Sequence, residues 1–147
     1  MEAIVLSGGF GTRLRQVVPD LPKSMAPIAG RPFLEILLSN RAQKGFTRVV
    51  LSLGFMADKI IAHFGERYES MELVHEVEKQ PLGTGGAIRA ALARCESDHI
   101  FVFNGDTYLN LEVNELENLW QAHHRPVIVL REVPNTARFG RVEVNNG

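Results

Sequence analysis

Five short runs of apolar residues recur along the chain, and most are apolar in succession rather than alternating with polar positions. Strands that are buried on both faces of a parallel sheet carry this pattern, whereas half-buried strands alternate. The pattern therefore predicts buried strands at residues 3–6, 49–53, 73–77, 100–103 and 127–130.

Helical periodicity fills most of the sequence between these runs. Apolar residues spaced three and four positions apart form one stripe in each of the ranges 33–38, 57–64, 87–92 and 113–120. Asn110 is the expected N-cap of the last helix, and Gly65 is the expected end of the second. Strands that alternate with helices predict an α/β fold, an open and mostly parallel sheet with helices on its faces.

The end of the chain carries a different pattern. Residues 141–144 alternate between apolar and polar, as a half-exposed strand does, and Asn145-Asn146-Gly147 is typical of a hairpin turn. Because no returning strand follows this turn, we expect the chain to be the front part of a longer protein.

Composition narrows the class of protein. The chain has 147 residues, of which 45% are hydrophobic, and this is enough for one domain with a real core. Its net charge of −1 favours binding neither to nucleic acid nor to a membrane surface. The single cysteine, Cys95, allows no internal disulfide and fits a reducing compartment. We therefore expect a cytoplasmic protein. The sequence leaves open whether the protein forms a homo-oligomer.

A glycine-rich loop follows the first predicted strand directly and reads Ser7-Gly8-Gly9-Phe10-Gly11-Thr12-Arg13. Glycines let backbone N–H groups approach a phosphate, although three glycines alone are equally typical of a tight turn. Arg13 and Lys23 favour the phosphate alternative. Arg13 brings a guanidinium next to the loop, and Lys23 lies in a segment that prolines stiffen.

These residues carry a family resemblance. The loop followed by Pro22-Lys23-Ser24-Met25 closely resembles the signature of the sugar-phosphate nucleotidyltransferases, and the similarity runs through the whole chain. The resemblance implies a Rossmann-like catalytic domain with helices on both faces, of which residues 1–147 would form about the N-terminal two-thirds. It implies catalytic roles for Arg13, which would hold the leaving pyrophosphate, and Lys23, which would stabilise charge at the α-phosphate. The nucleotide-binding positions implied in this region are Leu6, Gly8, Gly9, Gly11, Thr12, Arg13 and Lys23.

A second loop, which begins at Glu78, precedes the third predicted helix. Its small residues are typical of a helix N-terminus, and by the family resemblance it reads the base. The positions implied there are Glu78, Pro81, Gly83 and Thr84. An ionised carboxylate only accepts hydrogen bonds, and guanine offers adjacent N–H donors on one edge, so Glu78 favours guanine.

A carboxylate closes the fourth predicted strand, in Asn104-Gly105-Asp106-Thr107. From its position alone, Asp106 is either a turn residue or a site residue. The family resemblance makes it a catalytic carboxylate that binds Mg²⁺, an ion that prefers oxygen ligands, and makes Gly105 a sugar-binding position. By the same resemblance, a second metal carboxylate and a sugar-phosphate lysine come later in the domain, beyond Gly147.

The reaction implied by the resemblance joins GTP and a sugar 1-phosphate, transfers GMP and releases pyrophosphate, with Mg²⁺ as cofactor. Within the family, the sequences of these loops resemble those of guanylyltransferases that act on D-glycero-α-D-manno-heptose 1-phosphate. Mannose 1-phosphate is the alternative acceptor. A regulatory domain that binds a nucleotide-sugar without catalysis is an alternative of another class. The retention of Arg13, Lys23 and Asp106 favours an enzyme.

Overall fold

The computed structural model of the chain describes residues 1–11, 18–137 and 140–143. It divides into two compact units, Met1–Asn110 and Leu111–Gly147. The strands of the first unit are β1 (Glu2–Ser7), β2 (Pro27–Ile28), β3 (Arg31–Pro32), β4 (Arg48–Leu53), β5 (Arg67–Tyr68), β6 (Met71–Val77) and β7 (Phe101–Asn104). Its helices are a 3₁₀ turn (Lys23–Met25), α1 (Phe33–Gln43), α2 (Ala57–Phe64) and α3 (Gly83–Leu92).

Five strands form one sheet in the order β5-β6-β4-β1-β7, in which β1, β4, β6 and β7 are parallel and β5 is antiparallel to β6. The register places Leu6 beside Ser52 on one side and Asn104 on the other. The carboxyl ends of β1, β4 and β7 therefore meet at one edge, where ligands of open α/β sheets bind. The first four predicted strands and the parallel sheet are confirmed.

Both faces of the central strands β1 and β4 are covered, whereas the edge strand β7 keeps Val102 exposed. Ile4 and Val50 pack with Ala91 of α3 on one face. On the other face Phe101 and Phe103 lie edge-on to Phe46, and Phe103 also lies under the guanidinium of Arg41 in α1. This double burial explains why the sequences of β1 and β4 are apolar in succession.

A charged network ties the strands together at the opposite edge of the sheet. The buried carboxylate of Glu2 accepts hydrogen bonds from Arg48 at 2.6 Å and from the backbone N–H of Ser97 at 2.7 Å. Arg48 also pairs with Glu72 across to β6, at 2.9 Å. Because Arg48 joins β1, β4 and β6, this network fixes their register.

The helix boundaries modify two predictions. Helix α2 ends at Phe64 with Gly65 as its C-cap, as expected, and the positive φ of 61° at Gly65 is one that glycine adopts without strain. Helix α3 begins at Gly83, before the predicted stripe. Helix α4 of the second unit spans Val113–His123, so its N-cap is Glu112. The predicted cap at Asn110 is wrong, because the chain enters the helix two residues later.

The predicted strand at 127–130 is also wrong. These residues form no strand and are exposed, Ile128 by 73%. An apolar run becomes a strand only when a neighbouring strand accepts its hydrogen bonds, and the described residues provide none here. Residues 141–143 likewise form no strand, while residues 144–147, with the expected turn, lie outside the described residues. No helix in the described ranges is long and apolar enough to cross a membrane.

Candidate functional site

The carboxyl edge of the sheet brings together three loops that are far apart in sequence. The glycine loop leaves β1, the loop with Glu78 leaves β6, and the loop with Asp106 leaves β7. A fourth segment, the 3₁₀ turn at Lys23, lies against them. A cleft forms there, lined by Leu6, Ser7, Gly9, Lys23, Ser24, Gly105 and Asp106. Four of the residues predicted for phosphate and metal binding therefore line one cleft: Leu6, Gly9, Lys23 and Asp106.

Lys23 and Asp106 form an ion pair in this cleft, although 83 positions separate them in sequence. Lys23 Nζ lies 2.5 Å from Asp106 Oδ2, and each side chain keeps a little over 40% of its surface exposed. The Lys23 ammonium lowers the pKa of the Asp106 carboxyl below its ordinary 3.8; partial burial opposes this shift and the Thr107 hydroxyl supports it. Asp106 is thus charged at neutral pH and lies next to a cation.

Local packing holds Lys23 in place. The N–H of Met25 donates to the carbonyl of Pro22 at 2.8 Å, which closes the 3₁₀ turn, and Ser24 and Met25 are buried beneath it. Gly11 lies directly over the lysine stem, where a Cβ would come within 2.8 Å of Lys23 Cβ, and its φ is +58°. Both facts require glycine at position 11 and place the glycine loop against Lys23.

Gly105 is required by close packing with β1. Its N–H donates to the carbonyl of Leu6 at 2.8 Å, and a Cβ at this position would overlap Ser7 Oγ. This contact brings the following residue, Asp106, beside the end of β1. The sugar-binding role expected of Gly105 stays a prediction, because the contacts described here are internal.

Glu78 lies against the start of the glycine loop. A Cβ on Gly8 would come within 2.9 Å of Glu78 Oε1, and a Cβ on Gly54 would come within 2.5 Å of the Gly8 carbonyl oxygen. The Glu78 carboxylate accepts hydrogen bonds from the Ser52 hydroxyl at 3.3 Å and from the Leu82 N–H at 3.1 Å. It is therefore oriented by the strand edge and by its own loop.

The other positions predicted for the base loop lie beside Glu78. Pro81, Gly83 and Thr84 are all exposed, and Gly83 has a φ of +69° at the first residue of α3. Exposed N–H groups at a helix N-terminus can donate to an acceptor on a ligand. The predicted base-reading loop thus keeps its backbone accessible.

Thr12 and Arg13 lie outside the described residues, so their expected roles stay predictions. The described part of the chain contains no cluster of three or more histidine, cysteine, aspartate or glutamate side chains that could hold a metal ion by themselves. Among the described residues that line the cleft, only Asp106 carries a carboxylate. Any Mg²⁺ here would need further oxygen ligands from a substrate.

Sequence reasoning did not single out three serines of this edge. Ser52 orients Glu78, while Ser7 and Ser24 line the cleft and are buried. Ser7 ends β1 and Ser24 follows Lys23, so adjacency to the motif residues is the signal that could have identified them.

Comparison with known proteins finds a family match over almost the whole chain. A family model described as "Nucleotidyl transferase" matches residues 2–147. The chain is 40% identical over 116 residues to D-glycero-alpha-D-manno-heptose 1-phosphate guanylyltransferase of Aneurinibacillus thermoaerophilus, which is 79% of this chain and 50% of that protein. It is 33% identical over 145 residues to the protein of the same name from Campylobacter jejuni, covering 99% of this chain and 64% of the relative.

Among solved structures, HddC from Yersinia pseudotuberculosis complexed with GMP-PN superimposes with a TM-score of 0.73 at 38% identity. The match covers 81% of this chain and 53% of that structure. The chain thus spans between half and two-thirds of the length of the relatives that it matches.

Proposed function

Because the chain belongs to the nucleotidyl transferase family, we propose that it forms the nucleotide-binding part of a guanylyltransferase. The reaction transfers GMP from GTP to a sugar 1-phosphate and releases pyrophosphate. The acceptor we propose is D-glycero-α-D-manno-heptose 1-phosphate, the compound in the names of the two relatives above. A guanine nucleotide is also the ligand named for the HddC structure.

The Lys23–Asp106 ion pair is the observation that carries this proposal. A phosphate-binding cation and a metal-binding carboxylate are both needed at one place for phosphoryl chemistry, and the two side chains meet at 2.5 Å beside the glycine loop. The alternative that Asp106 is only a turn residue does not account for its partnership with a lysine 83 positions away.

In the proposed reaction an oxygen of the sugar 1-phosphate attacks the α-phosphorus of GTP. A new P–O bond forms there while the bond to the β-phosphate oxygen breaks, and pyrophosphate carries the released charge away. Positioning and charge stabilisation supply such catalysis without a covalent intermediate. We assign Lys23 to the charge that develops at the α-phosphate, the glycine-loop N–H groups to the triphosphate, and Arg13 to the pyrophosphate.

The residues of the cleft fit a bound Mg²⁺. Asp106 is ionised and more than 40% exposed, and Mg²⁺ is usually held by one or two carboxylates together with substrate phosphates. A metal ion bound at Asp106 would neutralise phosphate charge during the transfer. Asp106 also orients Lys23, whose ammonium is bonded to its carboxylate.

Glu78 supports guanine as the base. Its carboxylate is pure acceptor when ionised, whereas a guanine edge offers adjacent donors. Ser52 and the Leu82 N–H already orient it from the protein side. We assign base recognition to Glu78 together with the exposed backbone of Pro81, Gly83 and Thr84.

A chimera tests the activity directly. In it this chain replaces the matched 64% of the Campylobacter jejuni relative, and pyrophosphate release is measured with GTP and with heptose, mannose or glucose 1-phosphate. We expect turnover that depends on Mg²⁺ and is fastest with heptose 1-phosphate, and we expect Asp106→Asn to abolish it. The matched control is Asp20→Asn, which lies outside the cleft lining.

The outcomes separate the alternatives. Faster turnover with mannose 1-phosphate would replace the proposed acceptor. A folded chimera that binds GTP but releases no pyrophosphate would contradict the proposed activity and favour the regulatory binding domain. Unchanged turnover in Asp106→Asn would show that Asp106 is only a turn residue.

A further inference from the structure

Two buried hydroxyl groups in the cleft have no hydrogen-bond partner among the described residues. Ser7 is 9% exposed and Ser24 is 4% exposed, and the Oγ atoms of both are shut off from water. Both residues line the cleft that also contains Lys23, Gly105 and Asp106. Ser7 and Ser24 therefore form part of the floor of the proposed phosphate site, with their hydroxyl groups just beneath its surface.

A hydroxyl in this condition is costly to the free protein. Burying a polar group without a partner costs about 1–3 kcal/mol, so buried polar groups are almost always bonded. Alanine would fill the same space without that cost. A third buried serine of the same edge, Ser52, shows the ordinary arrangement, because its hydroxyl donates to Glu78. The unsatisfied state of Ser7 and Ser24 thus needs an explanation outside the free protein.

The surroundings indicate which ligand atom would satisfy them. The same cleft contains the Lys23 ammonium and borders the glycine loop, and both features favour an anion. Lys23 is held by Asp106 in this structure, at 2.5 Å. A phosphate that attracts Lys23 away from Asp106 would open the cleft floor to the ligand.

We propose that the hydroxyls of Ser7 and Ser24 donate hydrogen bonds to phosphate oxygens of the bound nucleoside triphosphate. This inference rests on the proposed function and extends it by two phosphate-binding residues. The two serines lower the stability of the free protein and raise its affinity for the triphosphate, because their hydrogen bonds form only in the complex. Hydrogen bonds to a charged oxygen are among the stronger ones.

The test compares three serine-to-alanine variants that differ in what the hydroxyl contacts. Ser7→Ala and Ser24→Ala remove the unpartnered hydroxyls, and Ser52→Ala removes a partnered one as the matched control. Titration calorimetry measures the Kd of GTP, UTP and guanosine, and thermal unfolding of the free proteins measures Tm. Guanosine separates phosphate contacts from contacts to the base and ribose.

We expect Ser7→Ala and Ser24→Ala each to weaken GTP binding about tenfold or more, as for loss of a hydrogen bond to a charged group. Guanosine binding should change less than about twofold, a limit set well below the loss expected for GTP. The Tm of Ser7→Ala and of Ser24→Ala should equal or exceed that of the wild type, whereas Ser52→Ala should lower Tm. A merely structural role would not produce opposite changes in Tm and GTP affinity.

Unchanged GTP affinity in both variants would overturn the inference, and so would equal losses for GTP and guanosine. A wild-type protein that binds UTP as tightly as GTP would contradict the proposed function but not this inference. In that case Ser7→Ala and Ser24→Ala should weaken UTP binding by the same factor as is expected for GTP. A wild type that binds no triphosphate contradicts both.

Discussion

At the scale of single residues, the ion pair between Lys23 and Asp106 decides the chemistry of the cleft. The two charges neutralise each other in this structure, and each is also the group that a phosphate or a metal ion would bind. Half-exposed ion pairs contribute little to stability, about 0–1 kcal/mol. The pair can therefore separate at low cost when ligands compete for its members.

We predict that Lys23→Met removes the stability that the ionised Asp106 carboxylate contributes near neutral pH. The pKa of Asp106 is lowered in the folded protein, mainly by Lys23, so its contribution is present above the unfolded pKa near 3.8 and is lost as pH falls through the folded value. Tm measured from pH 7 to pH 2 should be slightly lower in the variant near pH 7, and the difference should vanish at the acid end. A pH-independent difference would mean that the ion pair does not form.

Some features of this site could be predicted from the sequence, and others could not. Lys23 and Asp106 could be predicted because they occur in long, specific motifs. Their mutual contact could not, since it depends on the turn at Pro22 and on the packing of Gly105 against β1. Adjacency to motif residues is the only sequence signal of Ser7 and Ser24, because their missing hydrogen-bond partners become visible only in the structure.

At the scale of elements, close backbone approaches hold the loops of the site together. Gly105 lies on β1, and Gly54 lies on Gly8, at distances that leave no room for a Cβ. Gly9 is different, because a Cβ there would meet nothing within 4 Å. The glycines of the edge thus serve two purposes, internal packing at some positions and open backbone at another.

Comparison of Gly105→Ala with Gly9→Ala tests this distinction. The Gly105 variant must displace Ser7 or the Leu6 carbonyl, so we expect destabilisation of about 1–3 kcal/mol, the usual cost of overpacking. Gly9→Ala should leave the free energy of unfolding within about 0.5 kcal/mol and yet weaken GTP binding. Urea unfolding and calorimetry measure the two quantities. Equal stability of the two variants would contradict the packing role.

The network around Arg48 fixes the register that aligns the strand ends. Burial alone would raise the pKa of Glu2, but hydrogen bonds from Ser97, Arg48 and Glu96 lower it below 4.5. The contribution of the carboxylate to stability is therefore present above about pH 4.5 and is lost as pH falls through its folded pKa.

We predict that Glu2→Gln lowers the free energy of unfolding by about 2 kcal/mol at pH 7, the cost of losing hydrogen bonds to a buried charge. Glu72→Gln is the matched control, because Glu72 pairs with the same arginine but is 53% exposed. Its effect should stay below about 1 kcal/mol. Urea unfolding at pH 7 and pH 3 checks both values. A Glu2→Gln effect that persists unchanged at pH 3 would contradict the assigned charge.

The elements themselves were largely predictable. Runs that are apolar in succession identified β1, β4, β6 and β7, although only the central strands β1 and β4 are buried on both faces. The same pattern failed at residues 127–130, where the described chain supplies no strand partner. Local periodicity therefore predicts which residues can form a strand, but pairing decides whether they do so.

At the scale of the whole molecule, we propose that the described cleft is the nucleotide-binding part of a transferase. The chain spans 50% and 64% of the two guanylyltransferase relatives, and its cleft offers one carboxylate where the family resemblance implies two metal acids. The placement of the second carboxylate and of a sugar-phosphate lysine beyond Gly147 stays a prediction, as does the interpretation of residues 1–147 as the front part of one catalytic domain. Nucleotide recognition is the part of the proposed function that the residues of the described cleft support.

Nucleotide selectivity is therefore the most direct measurement of the central claim. Calorimetric titration of this chain with GTP, ATP, UTP and CTP in the presence of Mg²⁺ should give the tightest binding for GTP, by about tenfold or more, equivalent to about 1.4 kcal/mol. Glu78→Gln should reduce that preference severalfold, because an amide presents a donor where the guanine edge also donates. Equal binding of all four nucleotides by the wild type, or no binding at all, would contradict the account.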